Sequence, residues 1–148
     1  MEPRVIQTLS KQRDSGTIVE LVENEAGFRF VVKRILKLEE PIYRAIFQKE
    51  TQALTRLKAC ENIVRIFRSD IQISPNGRSE GIISMEYVPG RPLARVLDTI
   101  PNASTRYFLV KQLTNAIRHA HQNSVIHRDI NPSNILITDT FELKLIDF

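Results

Sequence analysis

Residues 127–134 read HRDINPSN, and residues 147–148 read DF. Between them, residues 135–137 and residues 143–146 are apolar runs separated by a polar turn, which predicts a short hairpin. The polar side chains therefore fall on loops beside a small β-element, where binding and catalytic groups are commonly placed. They form the densest polar cluster of the sequence, which comprises His127, Arg128, Asp129, Asn131, Asn134 and Asp147.

The stretch before this cluster reads as helical. Residues 102–122 carry apolar side chains at helical spacing, and either Asn102 or Ser104 is suited to cap the helix. A shorter helix is predicted over residues 93–99, and the breaker Pro89-Gly90-Arg91-Pro92 before it predicts a boundary between lobes. The apolar positions of the longer helix are Phe108, Leu113, Ala116, Ile117 and Ala120.

The first part of the chain predicts a sheet with one helix. Val, Ile, Leu and Phe are enriched in five strand-like segments, and turn sequences occupy residues 24–27 and 74–77. Pro41 is a start signal for a helix, and Glu50 lies on its apolar face, where a buried acid needs a cationic partner. The strand segments are residues 4–9, 17–23, 28–36, 63–73 and 81–88, and the other members of the helix face are Ile46, Ala53, Leu54 and Leu57.

Composition narrows the class of protein. The chain has 148 residues, a formal net charge of +4 and mixed charges, which is typical of a globular protein. No apolar run approaches the roughly 20 residues that span a bilayer, so we expect no membrane insertion. The basic residues are scattered, which argues against nucleic-acid binding. The single cysteine, Cys60, cannot form an internal disulfide, so we expect an intracellular, cytoplasmic protein.

Residues 127–134 resemble the catalytic loop of the eukaryotic-type protein kinases, H-R-D-x-x-x-x-N, in a form similar to the Ser/Thr kinases. Asp147-Phe148 resembles the start of their D-F-G motif, and Val31-Val32-Lys33 is similar to the V-A-I-K strand. Residues 47–64 resemble the third helix of the family and the strand after it. Residues 85–88 resemble the hinge between its lobes. The resemblance extends over the whole chain, with the motifs in the family's order.

The resemblance implies an α+β, protein-kinase-like fold. Residues 1–88 would form the N-lobe, with a five-stranded antiparallel sheet and one helix, and the hinge would lie at residues 85–90. Residues 91–148 would form a partial helical C-lobe. The implied function is transfer of the ATP γ-phosphate to a protein hydroxyl, with ATP and Mg²⁺ as cofactors.

The resemblance also assigns roles to residues. Lys33 would hold the α- and β-phosphates, and Glu50 would hold Lys33 by an ion pair. Asp129 would accept the proton of the attacking hydroxyl, and Asn134 and Asp147 would bind Mg²⁺. His127 and Phe148 would pack in an apolar stack. The implied nucleotide-binding set also contains Gly16 of the glycine-rich loop, Ile18, Val31 and Leu136 around the adenine, the gatekeeper Met85, and the hinge residues Glu86 and Val88.

Three features depart from the family pattern. The loop at residues 10–16 keeps only Gly16 of the three family glycines, and Lys11 and Arg13 should restrict approach of the backbone to phosphates. Asn131 stands where Ser/Thr kinases usually carry a lysine, which predicts slower transfer. The sequence stops at Phe148, before the family's activation loop and substrate platform. We therefore expect the isolated chain to be inactive, to expose apolar helix surface, and to be oligomeric or bound to a completing partner chain.

Two alternatives remain open at this stage. A pseudokinase-like binding module without catalysis would suit the departures in the glycine-rich loop. A small-molecule phosphotransferase of kinase-like fold would usually carry a small residue in place of Arg128, so Arg128 favours the protein kinases.

Overall fold

A computed structural model describes residues 3–12 and 16–148. The chain divides into two compact units: residues 1–52 with 66–87, and residues 53–65 with 88–148. The sequence-based division near residues 88–91 stays a prediction. Among the described residues, no helix has the length and apolar character required to cross a bilayer.

The first unit contains a five-stranded antiparallel sheet with the strand order β1-β2-β3-β5-β4. Helix α1, Pro41–Leu57, begins in this unit, and Phe47 packs against Gly81 in β5, which lies between β3 and β4. The sheet and the helix confirm the predicted α+β, kinase-like architecture. The strands are β1 Arg4–Gln12, β2 Thr17–Glu23, β3 Arg29–Ile35, β4 Ile66–Ile73 and β5 Ser79–Glu86.

The second unit is mainly helical and contains a small three-stranded sheet of order β6-β7-β8. Helix α3, Ala103–Gln122, is capped by Asn102, whose side chain accepts a hydrogen bond from the Thr105 N–H. The helix therefore starts from Asn102 rather than Ser104. The remaining elements are β6 Gly90–Pro92, α2 Leu93–Val96, the 3₁₀ turns Leu97–Thr99 and Pro132–Asn134, β7 Ile135–Thr138 and β8 Leu143–Leu145.

Several sequence-based boundaries are corrected by the structure. Strand β1 continues to Gln12, so the loop predicted from residue 10 begins later; its residues 13–15 lie outside the described part. Strand β4 starts at Ile66, and Ile63 instead forms an isolated parallel bridge with Leu145. The predicted helix over residues 93–99 is a four-residue α-helix followed by a 3₁₀ turn.

Two predicted apolar faces are also corrected. Ile46 is 44% exposed, because the buried stripe of α1 runs through Phe47, Glu50, Leu54 and Leu57. Ile46 lies one residue from Phe47, and about 100° of helical rotation separates the two side chains. Phe108 on α3 is likewise exposed, and the buried residue beside it is Leu109. Helix α3 also exposes Tyr107 and Val110.

The contact between Gly81 and Phe47 yields the first prediction. A Cβ at Gly81 would lie 2.5 Å from Phe47 Cδ2, so the buried ring would have to move. We expect Gly81→Ala to lower the free energy of unfolding by about 1–3 kcal/mol through overpacking. Thermal or urea denaturation measures the change. In a Phe47→Leu background, where the ring is absent, Gly81→Ala should cost less stability than it does in the wild type. An equal cost in both backgrounds would contradict the steric explanation.

Candidate functional site

The first unit holds a buried ion pair between its sheet and α1. Lys33 on β3 donates from Nζ to Glu50 Oε1 at 2.7 Å. The two side chains are 14% and 5% exposed, so little water screens the pair. Glu50 can occupy the buried stripe of α1 because Lys33 supplies the cation that a buried carboxylate requires. The structure thus brings together the two charged residues that the sequence assigned to one another.

The strand register decides which neighbours share the face of Lys33. Val19 on β2 stands directly opposite Lys33, and Leu21 stands opposite Val31. Residues directly opposite in adjacent strands share a face, so Val19 and Leu21 accompany Val31 and Lys33. Ile18 is opposite Arg34 and therefore lies on the other face of the sheet. The register therefore places Val19, and not the predicted residue Ile18, on the face of Val31 and Lys33, while a nucleotide-binding role for Ile18 stays a prediction.

The predicted hinge residues lie at the end of strand β5 and just after it. Met85 is 8% exposed and stands opposite Val31, on the face that carries Lys33. Glu86 is opposite Phe30, and β5 ends at Glu86. Val88 belongs to the second unit, is 8% exposed, and accepts a hydrogen bond from Gly90 N at 2.8 Å.

Gly16 and Leu136 occupy two different units. Gly16 is buried in the first unit, and its φ of +60° is a conformation that glycine adopts readily. Its carbonyl oxygen accepts a hydrogen bond from Leu36 N at 2.7 Å. Leu136 lies in the second unit at the centre of β7, opposite Lys144 of β8 and Pro92 of β6. Leu136 points away from the buried face that contains Ile135 and Ile137.

In the loop after α3, two side-chain amides donate hydrogen bonds to the carboxylate of Asp129. Asn131 donates from Nδ2 to Asp129 Oδ1 at 3.0 Å, and Asn134 donates from Nδ2 to Asp129 Oδ2 at 3.1 Å. Both amides also donate to the Asp129 backbone oxygen. Because each carboxylate oxygen has its own donor, the orientation of the Asp129 side chain is defined at both ends.

Asn131 has a second task in the same loop. Its Oδ1 accepts a hydrogen bond from Ser133 N at 2.9 Å and so caps the 3₁₀ turn Pro132–Asn134. A lysine at this position has no acceptor atom and could not form this cap. The departure from the family pattern at Asn131 thus coincides with a local structural role in holding the loop.

His127 links this loop to the segment that carries Asp147. The Asp129 N–H donates to His127 Nδ1 at 3.2 Å, so Nε2 is the nitrogen that donates to Ile146 O at 2.7 Å. His127 is 6% exposed, and its ring contacts Phe148 edge-on with 4.5 Å between centroids. Both ring nitrogens are engaged in backbone contacts, which fits a packing and orienting role.

Asp147 is exposed and adopts a φ of +59°, in the left-handed region. Its predecessor, Ile146, donates its N–H to Asn134 O at 3.0 Å. That bond joins the segment of Asp147 to the loop of Asn134. The two residues assigned to the metal therefore belong to hydrogen-bonded segments of one unit, and their side chains offer the oxygen donors that Mg²⁺ prefers.

Comparison with known proteins agrees with this arrangement. The sequence profile of the family described as "Protein kinase domain" matches residues 13–148. The chain is 33% identical over 136 residues to mitogen-activated protein kinase hog1 of Botryotinia fuckeliana; the match covers 90% of this chain and 36% of the relative. It is 34% identical over 163 residues to serine/threonine-protein kinase PknA of Mycobacterium tuberculosis, which covers 100% of this chain and 37% of the relative.

A third relative is mitogen-activated protein kinase sty1 of Schizosaccharomyces pombe, 34% identical over 136 residues, with coverage of 90% of this chain and 37% of the relative. The chain thus spans a little over a third of the length of these curated relatives. The profile match covers nearly all of the chain and includes both the ion pair and the amide-bound carboxylate. The chain belongs to the protein kinase domain family.

Proposed function

We propose that the protein transfers the γ-phosphate of ATP to a serine or threonine hydroxyl of a protein substrate. The observation that carries this proposal is the Asp129 carboxylate, oriented by two amides. The printed names of the relatives, Ser/Thr and mitogen-activated protein kinases, support this reaction class. In family terms, residues 1–88 correspond to the N-lobe, residues 85–90 to the hinge, and residues 91–148 to the beginning of the C-lobe.

The reaction asks the protein mainly for positioning and charge stabilisation. Asp129 would accept the proton of the substrate hydroxyl, with Asn131 and Asn134 keeping its oxygens in place. Lys33 would donate hydrogen bonds to the phosphates while Glu50 fixes its position. Val31, Met85 and Leu136 would supply apolar contacts to the adenine, and the backbone of Glu86 and Val88 would supply its hydrogen bonds.

The residues present suit Mg²⁺ as a cofactor. Asp147 offers a carboxylate and Asn134 an amide oxygen, and Mg²⁺ is commonly held by one or two protein oxygens with water completing its shell. When bound, Mg²⁺ would neutralise phosphate charge during transfer. Asn134 would have its oxygen correctly presented because its amide nitrogen is already committed to Asp129.

The proposal is tested on protein purified from its native source at its native length, since the relatives are longer than this chain. We expect radiolabel from γ-labelled ATP to appear on serine or threonine of a mixed peptide substrate when Mg²⁺ is present. Asp129→Asn should slow transfer by about 10²–10⁴-fold, the usual contribution of a positioned general base. Binding of Mg-ATP by calorimetry should stay within about twofold, since Asp129 contacts the hydroxyl rather than the nucleotide.

A second candidate function is a binding module without transfer. Lys11 stands at a family glycine position and lies on β1 opposite Ile18. A side chain at this position restricts approach of the backbone to phosphates, which favours a binding module without transfer. Binding of Mg-ATP without detectable transfer by the native protein would establish the binding-module function and reject the first proposal.

The proposed function has three further parts: a completing partner chain, association through the exposed residues of α3, and a cytoplasmic location. Copurification and fractionation would test them.

Asn131 yields a separate prediction within this site. Asn131→Ala removes the donor to Asp129 Oδ1 and the cap on Ser133 N. We expect kcat to fall about tenfold with KM for ATP unchanged, because an orienting hydrogen bond contributes about 1–1.5 kcal/mol and binding is not involved. Ser133→Ala is the matched control, since it keeps the capped backbone N–H. Equal kinetics for the two variants would show that the amide of Asn131 has no orienting role.

A further inference from the structure

Strand β8 is three residues long, and only one of its edges is paired with another strand. Leu145 and Leu143 stand opposite Ile135 and Ile137 of β7, with Lys144 between them. The backbone groups of Leu143 and Leu145 point to the other edge, where the second unit has no further strand of this sheet. Unpaired backbone groups at a buried edge are costly, so their partners decide how firmly β8 is held.

Two side-chain amides and a short backbone segment take the place of the missing strand. Gln112 Oε1 accepts from Leu143 N at 2.9 Å, and Asn62 Nδ2 donates to Leu143 O at 3.2 Å. The Asn62 backbone oxygen accepts from Leu145 N at 2.9 Å, and Val64 N donates to Leu145 O at 3.1 Å. All four outward backbone groups of Leu143 and Leu145 are therefore satisfied without a strand partner.

The two amides are joined to each other, and Asn62 is buried while Gln112 is partly exposed. Asn62 is 7% exposed, and its Nδ2 also donates to Gln112 Oε1 at 3.0 Å. Gln112 completes the turn before β8 by donating from Nε2 to Phe141 O at 2.9 Å. Asn115 donates to Asn62 Oδ1 at 2.9 Å but contacts no backbone group of β8. Asn62 and Gln112 are thus the β8-edge amides, and Asn115 is their outer neighbour.

We propose that the β8-edge amides are positioning residues for Asp147, and this inference rests on the proposed function of Asp147 as a metal ligand. Strand β8 ends two residues before Asp147, and the intervening Ile146 is held by Asn134 O and by His127 Nε2. A shift of β8 would move both Ile146 contacts and the left-handed Asp147 with them. The amides of Asn62 and Gln112 hold β8 in place through Leu143 and Leu145, and so place the carboxylate relative to Asn134.

The first measurement is independent of nucleotide: hydrogen exchange of the amides of Leu143, Leu145 and Ile146 in the native-length protein. Gln112→Leu removes the acceptor for Leu143 N and should raise exchange at Leu143 and Ile146 by about tenfold through local opening. Gln112→Glu keeps that acceptor and should restore most of the protection at Leu143. The control Asn115→Leu should stay within about threefold of the wild type.

The second measurement is the affinity for Mg²⁺ in the presence of ATP, followed by calorimetry. Gln112→Leu and Asn62→Leu should weaken it by about 10–100-fold, as is usual when a residue that orients a metal ligand is lost. Affinity for metal-free ATP, and Mg-ATP binding in Asn115→Leu, should be unchanged. If Asn62→Leu fails to fold, the Mg²⁺ affinities of Gln112→Leu and Gln112→Glu are compared instead.

The outcomes separate the two levels of the proposal. If the wild type binds no Mg-ATP, the proposed function fails. Hydrogen exchange of the Ile146 amide is then the measurement that shows whether the β8-edge amides hold the segment of Asp147. If Gln112→Leu changes neither exchange at Ile146 nor Mg²⁺ affinity more than Asn115→Leu does, the positioning role is overturned. If Mg²⁺ affinity and metal-free ATP affinity fall together, the amides act on general stability, which also overturns it.

Discussion

Asp147→Asn is expected to remove the Mg²⁺ dependence of nucleotide binding and to slow phosphoryl transfer by about 10³-fold or more. A bound metal ion contributes several kcal/mol of charge stabilisation in such reactions, and each roughly 1.4 kcal/mol corresponds to tenfold in rate. Asparagine keeps the size of the side chain but withdraws the negative charge that a hard cation requires. The measurement is a titration of Mg²⁺ at fixed ATP, read both as binding and as initial rate.

The structure offers a matched control for this change. Asp139 is also an exposed aspartate of the second unit, in the turn between β7 and β8, with only a loose ion pair of 3.9 Å to Arg91. Asp139→Asn removes the same charge from the same unit and should leave the Mg²⁺ titration unchanged. Equal effects of the two substitutions would assign the loss to net charge rather than to coordination. Retention of Mg²⁺ dependence in Asp147→Asn would reject Asp147 as a metal ligand.

The sequence predicted the fold and the charged residues of the site because those signals are local or come in a fixed order. Strand composition, the start at Pro41 and the apolar spacing of α1 indicated the sheet and its helix. Glu50 on an apolar face already required a cation, and the motif containing Lys33 identified one. The structure places the two at 2.7 Å, as that reasoning required.

Register and irregular hydrogen bonding could not be predicted in the same way. The hairpin after β2 closes through Asn24 N to Phe28 O, with the Asn24 side chain accepting from Ala26 N and Phe28 N. That closure places Val19 rather than Ile18 opposite Lys33, and a change of one residue would reverse every face of the strand. The β8-edge amides are separated from β8 by tens of residues, and no periodicity in the sequence marks such contacts.

Glu50→Gln is expected to have the largest effect in the first unit, on both stability and nucleotide binding. The substitution leaves Lys33, whose side chain is 14% exposed, without its buried carboxylate. Removing one partner of a buried pair costs about 3–5 kcal/mol, because the remaining charge stays poorly solvated. Denaturation should show that loss, and affinity for Mg-ATP should fall because Lys33 no longer has a fixed position from which to donate to the phosphates.

A more accessible ion pair in the same sheet shows how much of the loss comes from burial of the pair and how much from removal of a charge. Glu20 pairs with Arg34 at 3.3 Å, and the side chains are 17% and 36% exposed. Glu20→Gln should cost at most about 1 kcal/mol, because Arg34 is partly solvated and keeps a second carboxylate, Glu80, at 3.9 Å. If Glu50→Gln costs no more than Glu20→Gln, the Lys33–Glu50 pair is not buried to the extent described.

Replacing both partners separates stability from function. The double variant Lys33→Met with Glu50→Leu removes both charges and fills the space with apolar groups, which often recovers the stability lost by a single substitution. We expect it to unfold at a higher denaturant concentration than Glu50→Gln and still to bind Mg-ATP poorly, since no cation remains for the phosphates. A double variant that regained nucleotide affinity with its stability would show that Lys33 serves the fold alone, and the phosphate-binding role would then have to pass to another residue.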